Sequence, residues 1–396
     1  MSGWAPSSPA ELFREPRYPA FARAAVRAAA CGSAAPLLEE LGGEAPAAAA
    51  TLAAFAVSTQ GLSPLLARAP DVRALPRGLA EFLAGEAEGS ALRAAALRET
   101  LLETVVRLRE ARVEVVALKG AVLAFRDYPE ASLRPMGDLD LLLADPFALG
   151  RATEALVAGG RWRALFDTSR HRVFAERGER VARPATEDAG NPIRVELHRS
   201  FKLPVLGRWF DASAELRRET ERLTLDGVAV TVPAVAATVR HLLLHAAEDF
   251  AALGLRGIQA HDFRLLARRF GPLRPRLDAR DLAAGPGPLL YASEAVESLF
   301  PCSFDPSFLA ALGAKVPASR RSLAAALPPL RHTRPARGWT KTLLPLIESP
   351  GARLRFLART LAPSPGEVRA NAAGDGSVAA AYVRVSLRRL KTLFSR

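Results

Sequence analysis

The sequence predicts a mixed α+β protein in which a central α/β segment lies between two helical regions. Apolar residues recur at helical spacing from Leu92 to Leu108, a β-branched apolar run begins at Val113, and a long amphipathic pattern follows Pro233. The predicted regions are an N-terminal helical region (1–110), an α/β core (111–232), a C-terminal helical region (233–350) and a basic C-terminal tail (351–396).

The first helical region contains several helices. Ser8 is the expected N-cap of a helix that begins at Pro9, and glycine and proline clusters around residues 41–46 and 74–78 interrupt the segment. In the core, "VEVVAL" predicts a buried strand, "KGAVLAFRDY" a helix and "DLDLLLA" a second strand. Asp145 and Pro146 then mark the start of a helix that ends at Gly159.

The rest of the core is predicted to be mainly strands. The candidates are "RWRALF", "HRVFAE", "ERVARP", Ile193–Phe201 and a hairpin over Arg222–Val232 with Asp226 and Gly227 at its turn. Beyond Pro233 we expect a long helix that ends at Gly254 and a further helix over "AHDFRLLARRFG". The basic C-terminal segment is predicted to be a docked or solvated helix or strand, with an anionic membrane surface as the alternative partner.

Composition places the chain among globular proteins. Hydrophobic residues make up 49% and charged residues 24%, and no apolar run reaches the roughly 18–20 residues of a membrane span. The N-terminus lacks a charged start followed by an apolar stretch, so we expect a cytoplasmic protein. Cys31 and Cys302 form no metal-binding or redox spacing.

The formal charge of +13 permits a polyanionic partner without identifying one. Only five of the 54 basic residues are lysines, and the arginines are scattered along the chain. A nucleoside triphosphate is compatible with this charge, whereas DNA or RNA is not specifically indicated by it.

Asp138 and Asp140, in "LRPMGDLDLLL", are the first candidate functional residues. Residues two apart in a strand face the same side, so the two carboxylates point together while Leu139 and Leu141 face the core. Like charges so placed raise each other's pKa unless a cation is present, and carboxylate oxygens suit Mg²⁺ or Mn²⁺. The alternative is that one or both aspartates cap a turn after Gly137.

Two further segments supply groups that would complete such a site. Lys119 and Gly120 stand at a strand-to-helix turn, where backbone N–H groups and a lysine favour a phosphate. Glu196 lies in the apolar strand "RVELH" and is the candidate third carboxylate; the alternative is an exposed strand glutamate.

These segments carry a resemblance to a known family. Leu118-Lys119-Gly120, the motif "RPMGDLD" that ends at Asp140, and Glu196-Leu197-His198, together with "HLLLHAAEDF", resemble a poorly characterised bacterial nucleotidyltransferase family of the polymerase-β-type superfamily. The resemblance covers about residues 100–270. One departure is that Lys119-Gly120-Ala121 replaces the usual Gly-Ser or Gly-Gly turn, so that Lys119 would substitute for the serine hydroxyl.

The resemblance implies a polymerase-β-type catalytic core with a mixed sheet and the following chemistry. Asp138, Asp140 and Glu196 would bind two Mg²⁺ ions, with Mn²⁺ as the alternative, and Glu196 would also accept a proton. An NTP such as ATP would be attacked at its α-phosphate by a hydroxyl of an unknown acceptor, releasing pyrophosphate. Lys119, Gly120 and Arg134 would contact the nucleotide; the alternative for Arg134 is an ordinary surface arginine.

Histidines are the remaining candidates. His198 and His245 are predicted to line the site. His241 and His245 are four residues apart on one helix face, a spacing that can bind zinc, but Leu242 stands where the metalloprotease pattern requires glutamate. An RNA-directed transferase and a non-catalytic scaffold on the same fold are the alternative functions.

Overall fold

The protein is a mixed α+β molecule built around one five-stranded sheet, as predicted. The computed structural model describes residues 9–42, 47–177, 187–188, 190–252, 254–330 and 342–362, and positions 382, 383, 385 and 387. The predicted strand "ERVARP" and most of the basic tail lie outside these residues.

The N-terminal region is helical, with interruptions at the predicted glycine and proline clusters. Its helices are α1 (Pro9–Leu12), α2 (Tyr18–Cys31), α3 (Ala35–Leu41), α4 (Ala47–Thr59), α5 (Ser63–Ala67) and α6 (Arg77–Glu110). Helix α6 begins directly after Pro76, well before the periodic segment that predicted it.

The central sheet is mixed. Its elements in chain order are β1 (Val115–Ala117), α7 (Lys119–Val122, followed by a π-helical turn over Leu123–Asp127), β2 (Asp138–Leu143), α8 (Leu149–Ala158), β3 (Trp162–Asp167), β4 (His171–Glu176) and β5 (Arg194–His198). The spatial order is β1-β2-β5-β4-β3. Strands β2 and β5 are parallel and central, and all other pairs are antiparallel.

Two hairpins follow the sheet. The first pairs β6 (Lys202–Val205) with β7 (Arg208–Asp211), and the second pairs β8 (Thr220–Leu225) with β9 (Val228–Pro233). Helix α9 (Ser213–Arg218) connects them. The β8–β9 hairpin was predicted, and both its turn residues have positive φ, as a tight two-residue turn requires. The β6–β7 hairpin was not predicted.

The C-terminal region is helical. Its helices are α10 (Val235–Ala252), α11 (Gly257–Phe270), α12 (Ala279–Ala284), α13 (Pro286–Leu299), α14 (Pro306–Gly313), α15 (Ala318–Ala325) and α16 (Pro350–Leu361). Within the described ranges, none of the helices is both long and apolar enough to cross a bilayer.

The two faces of β2 pack into different hydrophobic cores. Leu139 and Leu141 belong to a core formed with α8 and the C-terminal half of α6. Leu142, on the opposite face, belongs to a larger core that unites helices from both ends of the chain. Asp140 shares the face of Leu142, so its carboxylate points toward the helices rather than into the smaller core.

Candidate active site

The parallel pairing of β2 and β5 brings Asp140, Glu196 and His198 onto one face of the sheet. In the register of the two strands Asp140 is opposite Glu196, and Leu142 is opposite His198. Because alternate residues share a face, the apolar neighbours Val195 and Leu197 point into the smaller core. The predicted partnership between the aspartate motif and Glu196 therefore has a direct structural basis in the strand register.

Asp140 is the most highly connected carboxylate of this group. Its Oδ1 accepts a hydrogen bond from Lys119 Nζ at 2.8 Å, and His198 Nε2 lies 2.8 Å from the same atom. Since an ionised carboxylate can only accept, His198 must be the Nε2–H tautomer when it is neutral. Glu196 Oε2 lies 3.6 Å from His198 Nε2 and 3.8 Å from His171 Nε2.

These side chains form a donor set that fits a metal ion. One ligand atom from each of Asp140, Glu196 and His198 lies within 4.8 Å of the others, and no other such group occurs in the described part of the chain. Asp138, predicted as a ligand, is not in this set. It starts the same strand on the same face, and the charges of Asp138 and Asp140 act on each other.

The electrostatics also favour an added cation. Burial, followed by repulsion from Asp140, raises the pKa of Asp138 to about 6, and burial with both aspartates raises the pKa of Glu196 to about 7. Burial opposes ionisation of Asp140 as well, but Lys119 and His198 hold its pKa below the usual value. Ionisation of Asp138 and Glu196 is thus less favourable than for exposed carboxyl groups, and a bound cation would lower both pKa values.

The turn of Lys119 and Gly120 is shaped by close contacts. Lys119 has a positive φ of 49°. A Cβ on Gly120 would lie 2.6 Å from Arg134 Nη1 and 3.1 Å from Met136 Cγ, so the position admits only glycine without movement of its neighbours. The Lys119 ammonium also lies 5.4 Å from the centre of the Phe201 ring.

Arg134 lies beneath this turn and is held by Asp262. Its Nε and Nη2 donate to the Asp262 carboxylate at 3.0 and 2.8 Å, and Tyr128 Oη donates to the same carboxylate at 2.8 Å. Both Arg134 and Asp262 are nearly inaccessible to solvent. The arginine is therefore a buried connection to α11, not the surface residue considered as its alternative. The contact between Arg134 and a nucleotide remains a prediction. Nε and Nη2 of Arg134 are bonded to Asp262, so Nη1 would have to make that contact.

A cleft of about 110 Å³ opens beside Glu196. One wall carries Lys119, Glu196 and His198, and α10 contributes His245 and Glu248 to the lining. The structure thus places both predicted lining histidines at the cleft. Sequence analysis missed three charged residues there, which are Arg170 in the β3–β4 turn, Lys202 and Glu248. It also missed His171.

The predicted minor zinc pair does not form a ligand group with a third residue in the described ranges. His245 Nδ1 lies 2.9 Å from Asp249, whose charge raises the pKa of His245 despite burial. His241 is buried against the ring of Phe201, and neither of its ring nitrogens has a hydrogen-bond partner among the described residues. Burial lowers its pKa well below the usual value, so it is neutral.

Comparison with protein families identifies the chain. The model of the uncharacterised nucleotidyltransferase family matches residues 48–284, which is more than half of the chain. The protein belongs to this nucleotidyltransferase family. It is therefore a transferase, and the match includes every residue of the metal-fitting group and of the cleft described above. Comparison with curated proteins found no match.

One solved structure resembles this nucleotidyltransferase. It is an antigenic nucleotidyltransferase-like protein from Paracoccidioides brasiliensis, which is 15% identical and aligns over 56% of this chain and 94% of its own. The TM-score is 0.34.

Proposed function

We propose that the protein transfers a nucleoside monophosphate from an NTP to an acceptor hydroxyl, releases pyrophosphate and uses Mg²⁺ or Mn²⁺. The observation that carries the proposal is the side-by-side placement of Asp140 and Glu196 in parallel strands, with Lys119 bonded to Asp140. A non-catalytic scaffold would not need to place Glu196 beside Asp140 at the energetic cost that the raised pKa of Glu196 implies.

Asp138, Asp140 and Glu196 are the proposed holders of the divalent ions, and His198 orients Asp140 through its Nε2–H. When bound, the ions would neutralise charge on the triphosphate and make the attacking hydroxyl more acidic. Carboxylate oxygens are ligands that Mn²⁺ accepts as well as Mg²⁺.

Arg170 is the proposed principal cation for the triphosphate. Its Nη1 donates to the Lys202 carbonyl at 2.8 Å, and it has no carboxylate partner among the described residues. Lys202 lines the same cleft. Arg134, by contrast, already neutralises Asp262. A free guanidinium in a cleft is well suited to planar recognition of phosphate oxygens.

The direct test is pyrophosphate release from each of the four NTPs with Mg²⁺ or Mn²⁺. We expect release with at least one NTP, and a loss of 10³-fold or more in the double variant Asp138→Ala/Asp140→Ala. A matched control is Glu154→Gln, which changes an exposed acidic residue on α8. Equal release from the wild type and the double variant would contradict the proposal.

A further inference from the structure

Glu248 is an acidic group of the cleft whose carboxylate lies outside the metal-fitting group. It lines the same cleft as Lys119, Glu196 and His198 but stands on α10 rather than on the sheet. Within the described ranges it makes neither a hydrogen bond nor an ion pair. Its neighbour Asp249 is already held by His245 and by Gln259, which donates to it at 2.5 Å.

The sheet carboxylates are poorly placed to serve the acceptor. Asp140 accepts from Lys119 and lies against His198, and Glu196 belongs to the metal-fitting group. A carboxylate that holds a cation is a weaker base, so Asp140 and Glu196 would take up a proton less readily than a carboxylate that holds no ion. Glu248 is such a carboxylate at the same cleft.

We propose that Glu248 binds the acceptor hydroxyl and takes up its proton, and that the acceptor is a neutral hydroxyl compound. This assignment rests on the proposed function. In the step, the acceptor oxygen forms a bond to the α-phosphorus while its proton passes to the Glu248 carboxylate. The bond between the α-phosphorus and the bridging oxygen breaks, and its electron pair leaves with pyrophosphate.

Burial and charge around Glu248 support both parts of the assignment. Burial raises its pKa against the opposing charges of His245 and Arg170, so the carboxylate is more basic than an exposed one. Asp249 is engaged with His245, and Lys119 is also near enough to act on Glu248. The cleft is lined by three cations, Lys119, Arg170 and Lys202, and by two glutamates whose ionisation burial disfavours, so an ammonium group on the acceptor would meet repulsion that a neutral hydroxyl does not.

The first test uses water as the acceptor, because water is always present and needs no assumption about the natural substrate. We expect Glu248→Gln to lower the kcat of NTP hydrolysis to NMP and pyrophosphate about 100-fold. Binding of Mn²⁺ and of α,β-methylene ATP, measured by calorimetry, should stay within about twofold of the wild type. The control is again Glu154→Gln.

A second variant distinguishes proton transfer from support of the fold. Glu248→Ala should regain part of its hydrolysis rate in sodium formate, because a small carboxylate can enter the vacated space. A Glu248→Gln protein with wild-type kcat, a Glu248→Ala protein without formate rescue, or loss of nucleotide binding in either would overturn the assignment. Wild-type protein that releases no pyrophosphate from any NTP would instead overturn the proposed function, and the Glu248 assignment with it.

The acceptor class is tested with a matched pair of small alcohols. Ethylene glycol and protonated ethanolamine both offer a primary hydroxyl. They differ in the second group, which is a neutral hydroxyl in ethylene glycol and a cationic ammonium in ethanolamine. At pH 7.5 and equal concentration we expect at least tenfold more NMP ester of ethylene glycol. The neutral-acceptor assignment would be overturned if ethanolamine gave an equal or greater yield of ester. It would also be overturned if neither alcohol gave any ester.

Discussion

In the metal-free protein, burial and the neighbouring aspartates disfavour the ionised form of Glu196. Its pKa of about 7 in the folded state exceeds the ordinary value of 4.5, so between those two pH values the native state binds more protons than the unfolded state. The free energy of unfolding therefore falls as pH rises through this window, and the full penalty is present above pH 7.

Glu196→Gln should consequently stabilise the metal-free protein at pH 8, by an amount on the order of 1–3 kcal/mol. The gain should largely disappear at pH 4.5, where the glutamate is protonated in the folded state and half protonated in the unfolded state. Thermal unfolding in the presence of EDTA measures this, with Glu154→Gln as the control for loss of an exposed charge. A lower melting temperature for Glu196→Gln at pH 8 would count against the electrostatic account.

Arg170→Met should weaken nucleotide binding without disturbing the fold. Loss of one charge-assisted contact to phosphate corresponds to about 1.5–3 kcal/mol, or roughly a 10- to 100-fold rise in the Kd of α,β-methylene ATP. The matched control is Arg151→Met, which removes an exposed arginine of α8. Equal Kd values for the two variants would remove Arg170 from the nucleotide site.

The site residues that the sequence predicted differ from those it missed in how unusual a charge is in their local sequence. Asp140, Glu196 and Lys119 each follow or interrupt an apolar strand, where a charge is conspicuous. Arg170 lies in a short turn among many arginines, and Glu248 is one polar residue of an amphipathic helix. Their participation in the site depends on how separate elements pack, and no local pattern encodes that packing.

At the scale of elements, the pair of Arg134 and Asp262 fastens the loop before β2 to α11. Asp262 also accepts a hydrogen bond from Tyr128, which lies in the same loop. One buried carboxylate therefore binds the loop at both Tyr128 and Arg134. The burial of both partners makes removal of either one costly, because the other is left as an unpaired buried charge.

Asp262→Asn should therefore destabilise the protein by about 3–5 kcal/mol in urea unfolding. Arg77→Met, which breaks the exposed pair of Arg77 and Glu81, should cost far less, because solvent screens that pair. The double variant Arg134→Met/Asp262→Leu should recover part of the loss, since no buried charge then remains. A cost for Asp262→Asn as small as that of the surface variant would show that the pair is not structural.

The hairpin turns show why some elements were predictable. The β8–β9 turn uses Asp226 and Gly227, residues that tolerate positive φ and are typical of tight hairpins. The β6–β7 turn uses Leu206 and Gly207, with φ of 46° and 76°. Leucine rarely adopts that conformation, so the sequence offered no turn signal, and tertiary packing of the hairpin against α16 must hold it.

At the scale of the whole molecule, the N-terminal and C-terminal helices share one hydrophobic core. Phe21, Leu243 and Leu290 all belong to it, although they come from opposite ends of the chain. Helix α6 contributes Leu83 to this core and Leu97 to the smaller one. We propose that the described parts of the four sequence regions form a single cooperative unit.

A fragment of residues 111–232 should then fail to fold alone. It would lack α6, which covers one face of the sheet, and α10 and α11, which cover the other and hold Arg134. We expect no cooperative thermal transition by circular dichroism, whereas the full chain should show one. A fragment with a sharp transition and binding of Mn²⁺ would establish 111–232 as an autonomous domain instead.

The bond between Lys119 and Asp140 has a consequence for how substrates enter. An ion arriving at Asp140 would compete with an ammonium already there, so loading of the proposed metal would exchange one counterion for another. The displaced Lys119 side chain, which is only 23% exposed, would then lack an anionic partner. The phosphate oxygens of a triphosphate would supply that partner. Metal and nucleotide should accordingly bind with strong positive cooperativity, each being a weak ligand by itself. Such linkage would keep the empty enzyme from retaining metal ions until a nucleotide arrives.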